Sequence, residues 1–367
     1  LYSLLNDIYN IQLTHAHLSN SIDFEEVRKK YQINKLNVQQ EENLNLFYAA
    51  VQHELTRKNP SISDILDRNL ALYNISITKN LSYQSLFKLL QISNQVANIS
   101  RNYYEILEFI EEARQKIETS DRVEQEHLYY HIQILYYLAN TYFRIRKFNR
   151  SAAALRSMHH YMLLQDQKYL PVFYCQHLLI TSLLEIYTGE LEPVIEKLSH
   201  FDFKKYKNEQ VYVHDLKLTR IVALFLAENF KNSLQLYRDF YHSDVWYAKK
   251  LGFIWVIKKN LLEILLLMEL DYMDLVESRL RSFRKKHRDH LLEHKEERIL
   301  LFVSLAEAYY KNKSIVHAQE FILKLDEVLH PEKKDEDIFA LSFYAWLKSK
   351  TQSKRTYDTC LSLLGED

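Results

Sequence analysis

Three glycines and four prolines in 367 residues constrain this chain more than anything else in it. Average usage would supply roughly 25 and 18. Hairpin turns, sheet bulges and phosphate-cradling loops need glycine where φ is positive or a backbone must approach closely. A chain so poor in it is mostly helix joined by short, plain turns. The same scarcity removes any Gly-rich phosphate loop, and with it kinases, nucleoside triphosphatases and dinucleotide-binding enzymes. Hydrophobic residues make up 47% and charged residues 26%, the balance of a folded protein. Lys plus Arg equals Asp plus Glu at 48 each, so no global charge draws the chain to nucleic acid or to an anionic membrane.

The helices carry a recurring pattern. In YYLANTYFRIRKFNRSAAAL, residues 136–155, Ala139 and Tyr142 extend a stripe begun by Ile132 and Leu135. The stretch RKFN breaks it. Phe148, Ala152, Leu155 and Met158 then make a second stripe, and the small residues Ala139, Ser151 and Ala152 let the two helices approach. A near-copy occupies 302–325, FVSLAEAYYKNKSIVHAQEFILKL, with Phe302, Leu305, Ala306 and Tyr309 on one stripe and Ile315, Ala318, Ile322 and Leu325 on the other.

The apolar residue after each turn serves as an anchor. Phe148, Leu191, Phe230, Tyr272 and Ile315 follow one another at intervals of 43, 39, 42 and 43 residues. Tyr104, Ile62 and Ile22 or Phe24 continue the series backwards, and Tyr357 continues it forwards. The expectation is an all-α fold, an α-solenoid of about eight or nine helix-turn-helix hairpins with a period near 42 and helices of roughly 16 to 18 residues. It forms a single repeat domain over 1–367. Hairpins in 1–120 are less regular, those in 121–330 are the best defined, and 331–367 supplies C-terminal capping helices. Pro171, Pro193, Gly189 and Gly252 fall at turns or first helical turns, as do Pro60 and Pro331.

The order large–x2–Leu–Ala–x2–Tyr, turn, apolar–x2–small–x3–large in these two units resembles the tetratricopeptide repeat. Arg146 and Lys313 stand where that family often has a turn glycine. The resemblance implies a concave groove that binds a protein or peptide. Mapped on the two clear units, its lining is Tyr136, Asn140, Phe143 and Arg144, then Glu307, Tyr310 and Lys311. Asn140 takes the place of a peptide-binding asparagine. Further groove candidates are His177, Thr181, Lys217, Arg220 and Lys259. The basic partners of a carboxylate clamp are not evident.

Other chemistry is sparse. His127 with His131, and His290 with His294, are i,i+4 pairs that a carboxylate such as Glu126 or Glu293 would complete as metal ligands. Neither has HExxH order, and the solvated or half-buried histidine reading outweighs the metal site. Cys175 and Cys360 sit in apolar runs and read as core residues. The run 279–290 offers a basic contact patch: Arg279, Arg281, Arg284, Lys285, Lys286 and Arg288. Leu251–Leu270 is apolar, but Lys258, Lys259, Asn260 and Glu263 interrupt it, so it reads as a buried helix rather than a membrane span.

The function expected is a non-enzymatic protein- or peptide-binding scaffold without cofactor, nucleic acid partner or membrane span, cytoplasmic, and a possible homo-oligomer. The alternative is a ligand- or peptide-sensing regulatory module of a larger signalling or transcription-regulating protein.

Overall fold

The computed structural model describes residues 2–18, 23–55, 65–75, 83–100, 102–118, 127–294, 296–328 and 338–365. The chain is all-helical, with no strand among the described residues. It divides into two compact units, Leu1–Tyr169 and Leu170–Asp367.

The first unit holds α1 (Tyr2–His15), α2 (Phe24–Leu55), α3 (Ile65–Leu72), α4 (Tyr83–Ser100), α5 (Leu107–Glu118), α6 (Leu128–Arg144), α7 (Phe148–Met162) and the short α8 (Leu164–Gln167). Helix α1 packs on α2, α2 on α3 and α4, α4 on α6, and α6 on α7. Leu44, Phe47 and Val51 of α2 meet this core with Leu86, Leu89 and Leu90 of α4 and Ile132, Leu135 and Tyr142 of α6. Helix α2 runs 32 residues without a turn, twice the length expected of a repeat helix.

The second unit holds α9 (Leu170–Tyr187), α10 (Leu191–Ser199), α11 (Gln210–Leu226), α12 (Phe230–Tyr237), α13 (Asp244–Leu251), α14 (Phe253–Glu269), α15 (Met273–Glu293), α16 (Glu297–Lys311), α17 (Gln319–Val328), α18 (Ile338–Gln352) and α19 (Thr356–Gly365). The apolar run 251–270 is the end of α13, a break at Gly252 with positive φ, and then the core helix α14. By length and composition α9 is apolar enough to cross a membrane, but Phe173, Leu178, Ile180 and Leu183 are built into the core against its neighbours.

Several of the anchors coincide with helix starts. Phe148, Leu191 and Phe230 are the first residues of α7, α10 and α12; Tyr272 immediately precedes α15, Phe24 opens α2 and Tyr357 is the second residue of α19. Tyr104 falls in a turn ahead of α5, and Ile62 and Ile22 lie outside the described residues, as do Pro60 and Pro331. Pro171 and Pro193 occupy first helical turns, where the missing N–H costs nothing.

The turns share one geometry. Arg146, Gly189, Glu228, Asp271 and Ser353 all have positive φ. In each case the next residue's N–H reaches back five positions: Lys147 to the Tyr142 carbonyl at 2.8 Å, Glu190 to Glu185 at 2.8 Å, Asn229 to Leu224 at 2.9 Å, Tyr272 to Leu267 at 3.1 Å and Lys354 to Ser349 at 3.1 Å. This is the Schellman closure of a helix C-terminus, which satisfies its last carbonyls. Four of the five left-handed residues are not glycine, so the turn is held by hydrogen bonds and packing against the steric preference of the side chain.

Two hairpins share a second detail. Ser151, the fourth residue of α7, donates to the Ala139 carbonyl at 2.9 Å, and Ser233, the fourth residue of α12, donates to Ile221 at 2.9 Å. Both bonds span twelve residues, and both serines are fully buried. Val194 and Val276 fill the same place in α10 and α15.

Two expectations need correction. The second helices are mostly short: α10 and α12 have 9 and 8 residues, α17 and α19 have 10 each. The copy at 302–325 also shifts after its turn. Lys313–His317 is a 3-10 stretch and Ala318 is extended, so α17 starts only at Gln319. The buried stripe is therefore Val316, Phe321, Leu325 and Val328; Ala318 is exposed, and Ile315 and Ile322 are half-buried.

Candidate functional site

The shared turns give a common register for the first helices. Counting back from the first residue of the following helix, Asn140 of α6 stands at position minus eight. Leu183 of α9, Val222 of α11 and Leu265 of α14 occupy the same position, and all three are buried. Position minus five is Phe143 in α6 and Ile186, Phe225 and Met268 in the others. The residue types that would line a solvated groove are replaced by a core.

In the second unit the C-terminal hairpin lies on this face. Helix α18 packs against α11, α14 and α17. Phe343 sits between Phe225 of α11 and Phe302 of α16, both ring centroids at 6.5 Å. Trp346 donates its indole N–H to Glu269 of α14 at 2.5 Å and meets Tyr309 of α16 edge-on at 5.7 Å. Lys350 pairs with the same Glu269 oxygen at 2.8 Å. From α19, Thr356 donates both its N–H and its hydroxyl to Glu228 at 3.0 Å, and the Tyr357 hydroxyl donates to the Ile186 carbonyl at 2.7 Å. Residues 341–347 are buried around the whole helix circumference. This C-terminal pair thus reaches α9, α11, α14 and α16 as well as the preceding α17.

The sequence-derived groove residues fall on α6 in the first unit and on α9, α11, α14 and α16 in the second. On α6, Asn140 donates to Asn94 of α4 at 3.2 Å, and Thr141 donates to the same oxygen at 3.3 Å. The Arg144 guanidinium lies over the Tyr103 ring at 5.8 Å, Phe143 is buried, and Tyr136 is half-buried edge-on to Tyr137. These four sit together on α6 against the elements before it. His177 and Thr181 on α9 and Lys217 and Arg220 on α11 are half-buried. The Lys217 ammonium lies over Phe203 at 5.8 Å. Burial lowers the Arg220 pKa, opposed by the nearby Asp239 carboxylate. On α16, Glu307 accepts from Lys311 at 2.7 Å and from Arg284 of α15. Burial would raise its pKa, but those two cations outweigh burial and hold it below the ordinary value. Tyr310 is half-buried, and burial raises its pKa.

The basic run splits by helical face. Arg279 pairs with Glu263 at 3.0 Å, Arg284 with Glu307 and Lys286 with Asp244 at 3.4 Å, all toward neighbouring helices. Arg281, Lys285 and Arg288, spaced four and three, are exposed along another stripe of α15.

Lys259 is the centre of a buried polar cluster. It is 6% exposed. Its ammonium donates to Asn260 Oδ1 at 2.8 Å and to the Tyr237 hydroxyl at 3.1 Å, pairs with Asp244 at 3.2 Å, and lies over the Tyr237 and Tyr247 rings. The Tyr237 hydroxyl in turn donates to Glu263 Oε2 at 3.2 Å. Asn260 donates to Asp244 at 3.3 Å and faces His287 Nε2 at 3.2 Å, so that nitrogen accepts and the His287 proton sits on Nδ1. Burial would raise the Asp244 carboxyl; Lys259, Asn260 and Lys286 overcome it and leave its pKa low. Burial, reinforced by Glu263, pushes Tyr237 well up. Every charge in the cluster is compensated, as a buried ion pair requires. Beside it Trp255 donates to Asp215 at 2.9 Å and stacks on Tyr247 at 5.0 Å, while His242 stacks on Trp246 at 3.9 Å. The partners Asp244, Asn260, Tyr237, Glu263 and His287 were not singled out as a site by the sequence. The signal was there in Lys259, Asn260 and Glu263, polar residues breaking an apolar run.

Both cysteines are free and buried, and burial lifts each thiol to about 12, so neither is a nucleophile near neutrality. In the His127–His131 pair both rings meet Tyr83, His127 stacked at 5.3 Å and His131 tilted at 5.8 Å, and His131 is fully buried edge-on to Tyr161 at 4.3 Å. Glu126 lies outside the described residues. No protein-family model matches the chain, and no curated protein matches it.

Proposed function

We propose that this chain is a non-enzymatic binding module, a scaffold or adaptor of tetratricopeptide-like hairpins that takes a protein or peptide. Within each unit the hairpins stack as a short α-solenoid with a period near 42. The successive starts of α7, α10, α12 and α15, spaced 43, 39 and 43 residues, support that reading. The observation that carries the function is α18. The inner ends of α11, α14 and α16 hold a helix through two aromatic anchors three residues apart, Phe343 and Trp346, with a carboxylate for the indole N–H. That is helix-in-groove recognition, performed here on the chain's own segment. In the first unit the same register on α6 carries Tyr136, Asn140 and Arg144, and a partner engages that surface.

The test is capture from native lysate followed by a binding curve with the purified partner. Asn140→Ala combined with Arg144→Glu should weaken binding at least ~10-fold, about 1.4 kcal/mol, with the fold intact by circular dichroism. Specific turnover by the purified chain, or unchanged affinity in this variant, would count against the reading.

A second reading, a ligand- or peptide-sensing regulatory module of a larger protein, draws on the same helix. A peptide competing for the inner face of the second unit would be coupled to the position of α18 and α19. Faster hydrogen exchange in α18 on ligand addition favours the regulator; slower or unchanged exchange favours the scaffold.

A further inference from the structure

His290, Glu293 and His294 meet at the C-terminal end of α15. Their ligand atoms all lie within 4.8 Å of one another. The spacing i, i+3, i+4 places the three on one helix face. The two imidazoles stack with centroids 4.0 Å apart and planes inclined by 28°. His294 Nδ1 lies 2.8 Å from the His290 carbonyl oxygen, which can only accept, so Nδ1 carries the proton and the Nε2 lone pair points away from the backbone. This is the tautomer-fixing bond that accompanies histidine ligands in metal sites. Phe253, the first residue of α14, covers the His290 ring at a centroid distance of 3.7 Å and gives the cluster an apolar wall.

We propose that these three side chains bind a zinc ion. Two imidazole nitrogens and a carboxylate are a zinc donor set, and three protein ligands leave a fourth position for water or a group from another molecule. Ligands at about 2.0–2.1 Å around a tetrahedral ion stand roughly 3.3 Å apart. Glu293 and His294 are exposed and His290 half-buried, so side-chain rotation closes the remaining distance without moving the helix. The cation would also sit at the negative end of the α15 dipole. His287, one turn earlier, is not the fourth ligand: its Nε2 is held by Asn260 and the ring is buried. Bound zinc would clamp the last turn of α15 to its C-terminal residue.

The experiment uses the untagged full chain stripped with chelator, titrated with Zn²⁺ at about pH 7.5 against a chromophoric chelator, and with Co²⁺ by visible absorption. The expected result is one equivalent with Kd below ~10 µM and a tetrahedral Co²⁺ spectrum. Glu293→Gln and His294→Ala, both at exposed positions, should each weaken it at least ~10-fold, whereas His200→Ala should not. Two results would overturn the proposal. One is less than ~0.2 equivalent bound at ~10 µM free zinc. The other is unchanged affinity in His290→Ala/His294→Ala, which would assign the ion to other histidines.

Discussion

Substituting His131 by Leu should remove a defined part of the protein's acid sensitivity. His131 lies on α6, fully buried, with Tyr83 of α4 at 5.8 Å and Tyr161 of α7 at 4.3 Å. Neither ring nitrogen has a hydrogen-bond partner, and no charged group takes part: burial alone lowers its pKa from 6.5 to about 4. The folded state therefore holds the ring neutral while the unfolded chain takes up a proton below 6.5. A base whose pKa is depressed by folding contributes stability that is complete above its unfolded pKa and is lost as pH falls. Between pH 7.5 and 5, these two pKa values give a loss of about 2 kcal/mol from this one residue. Leucine fills a similar volume without polar atoms. At pH 7.5 the variant should lie within ~1 kcal/mol of wild type, because no hydrogen bond is broken.

The assay is urea unfolding at several pH values, followed by far-ultraviolet circular dichroism and by tryptophan fluorescence. All three tryptophans, Trp246, Trp255 and Trp346, belong to the second unit, so fluorescence is an internal control. The dichroism transition of the first unit should lose about 2 kcal/mol of its pH dependence in the variant, and the fluorescence transition should keep its own. An identical slope in His131→Leu and wild type refutes the reasoning, and so does a large destabilisation at pH 7.5, which would mean that the ring is hydrogen-bonded.

Three further predictions rest on packing and turns. Asp271→Gly should stabilise by about 0.5–1 kcal/mol because glycine adopts the left-handed turn without steric cost; Glu228→Gly should not, since it removes the carboxylate that holds Thr356, and paired chemical-denaturation curves separate the two. Trp346→Ala should cost about 3–5 kcal/mol in the fluorescence-independent unfolding of the second unit, while Trp346→Phe should cost about 1–2 kcal/mol because Lys350 still neutralises Glu269. Lys259→Ala should cost about 1–3 kcal/mol, because it removes the nearest cation from half-buried Asp244, which keeps Asn260 and Lys286, and the donor to the Tyr237 hydroxyl; Lys259→Met with Asp244→Asn should cost less, which a double-mutant cycle measures.

The α6–α7 hairpin was legible almost to the residue because its cause is local. The stripe Ile132–Leu135–Ala139–Tyr142, the break at Arg146–Lys147 and the new stripe from Phe148 are all short-range patterns, and the structure starts α7 at Phe148. The copy at 302–325 failed in its second half for a local reason too weak to read: Asn312 caps a 3-10 turn by accepting from Ser314, which delays α17 by one turn. The groove residues were harder to read. Tyr136, Asn140, Glu307 and Lys311 are polar at groove positions, but polarity alone does not distinguish solvent from a partner such as Asn94 or Arg284. Lys259 looked like a solvated groove cation; its carboxylate is Asp244, fifteen residues away on another helix.

The sequence by itself determined that the protein is helical, where most turns after residue 128 fall, and that this sequence holds no glycine-rich loop. Those properties depend on neighbours within about one helical turn or on composition. Only the tertiary structure decided what the inner face of the second unit contacts. Phe225 and Ile186 meet Phe343 and Tyr357 for a reason that periodicity cannot supply, because the C-terminal hairpin lies roughly 80 to 170 residues farther along the chain, as the Trp346–Glu269 and Tyr357–Ile186 bonds mark. A buried position has the same residue type whichever helix covers it, so the sequence records the burial and the fold alone records the partner.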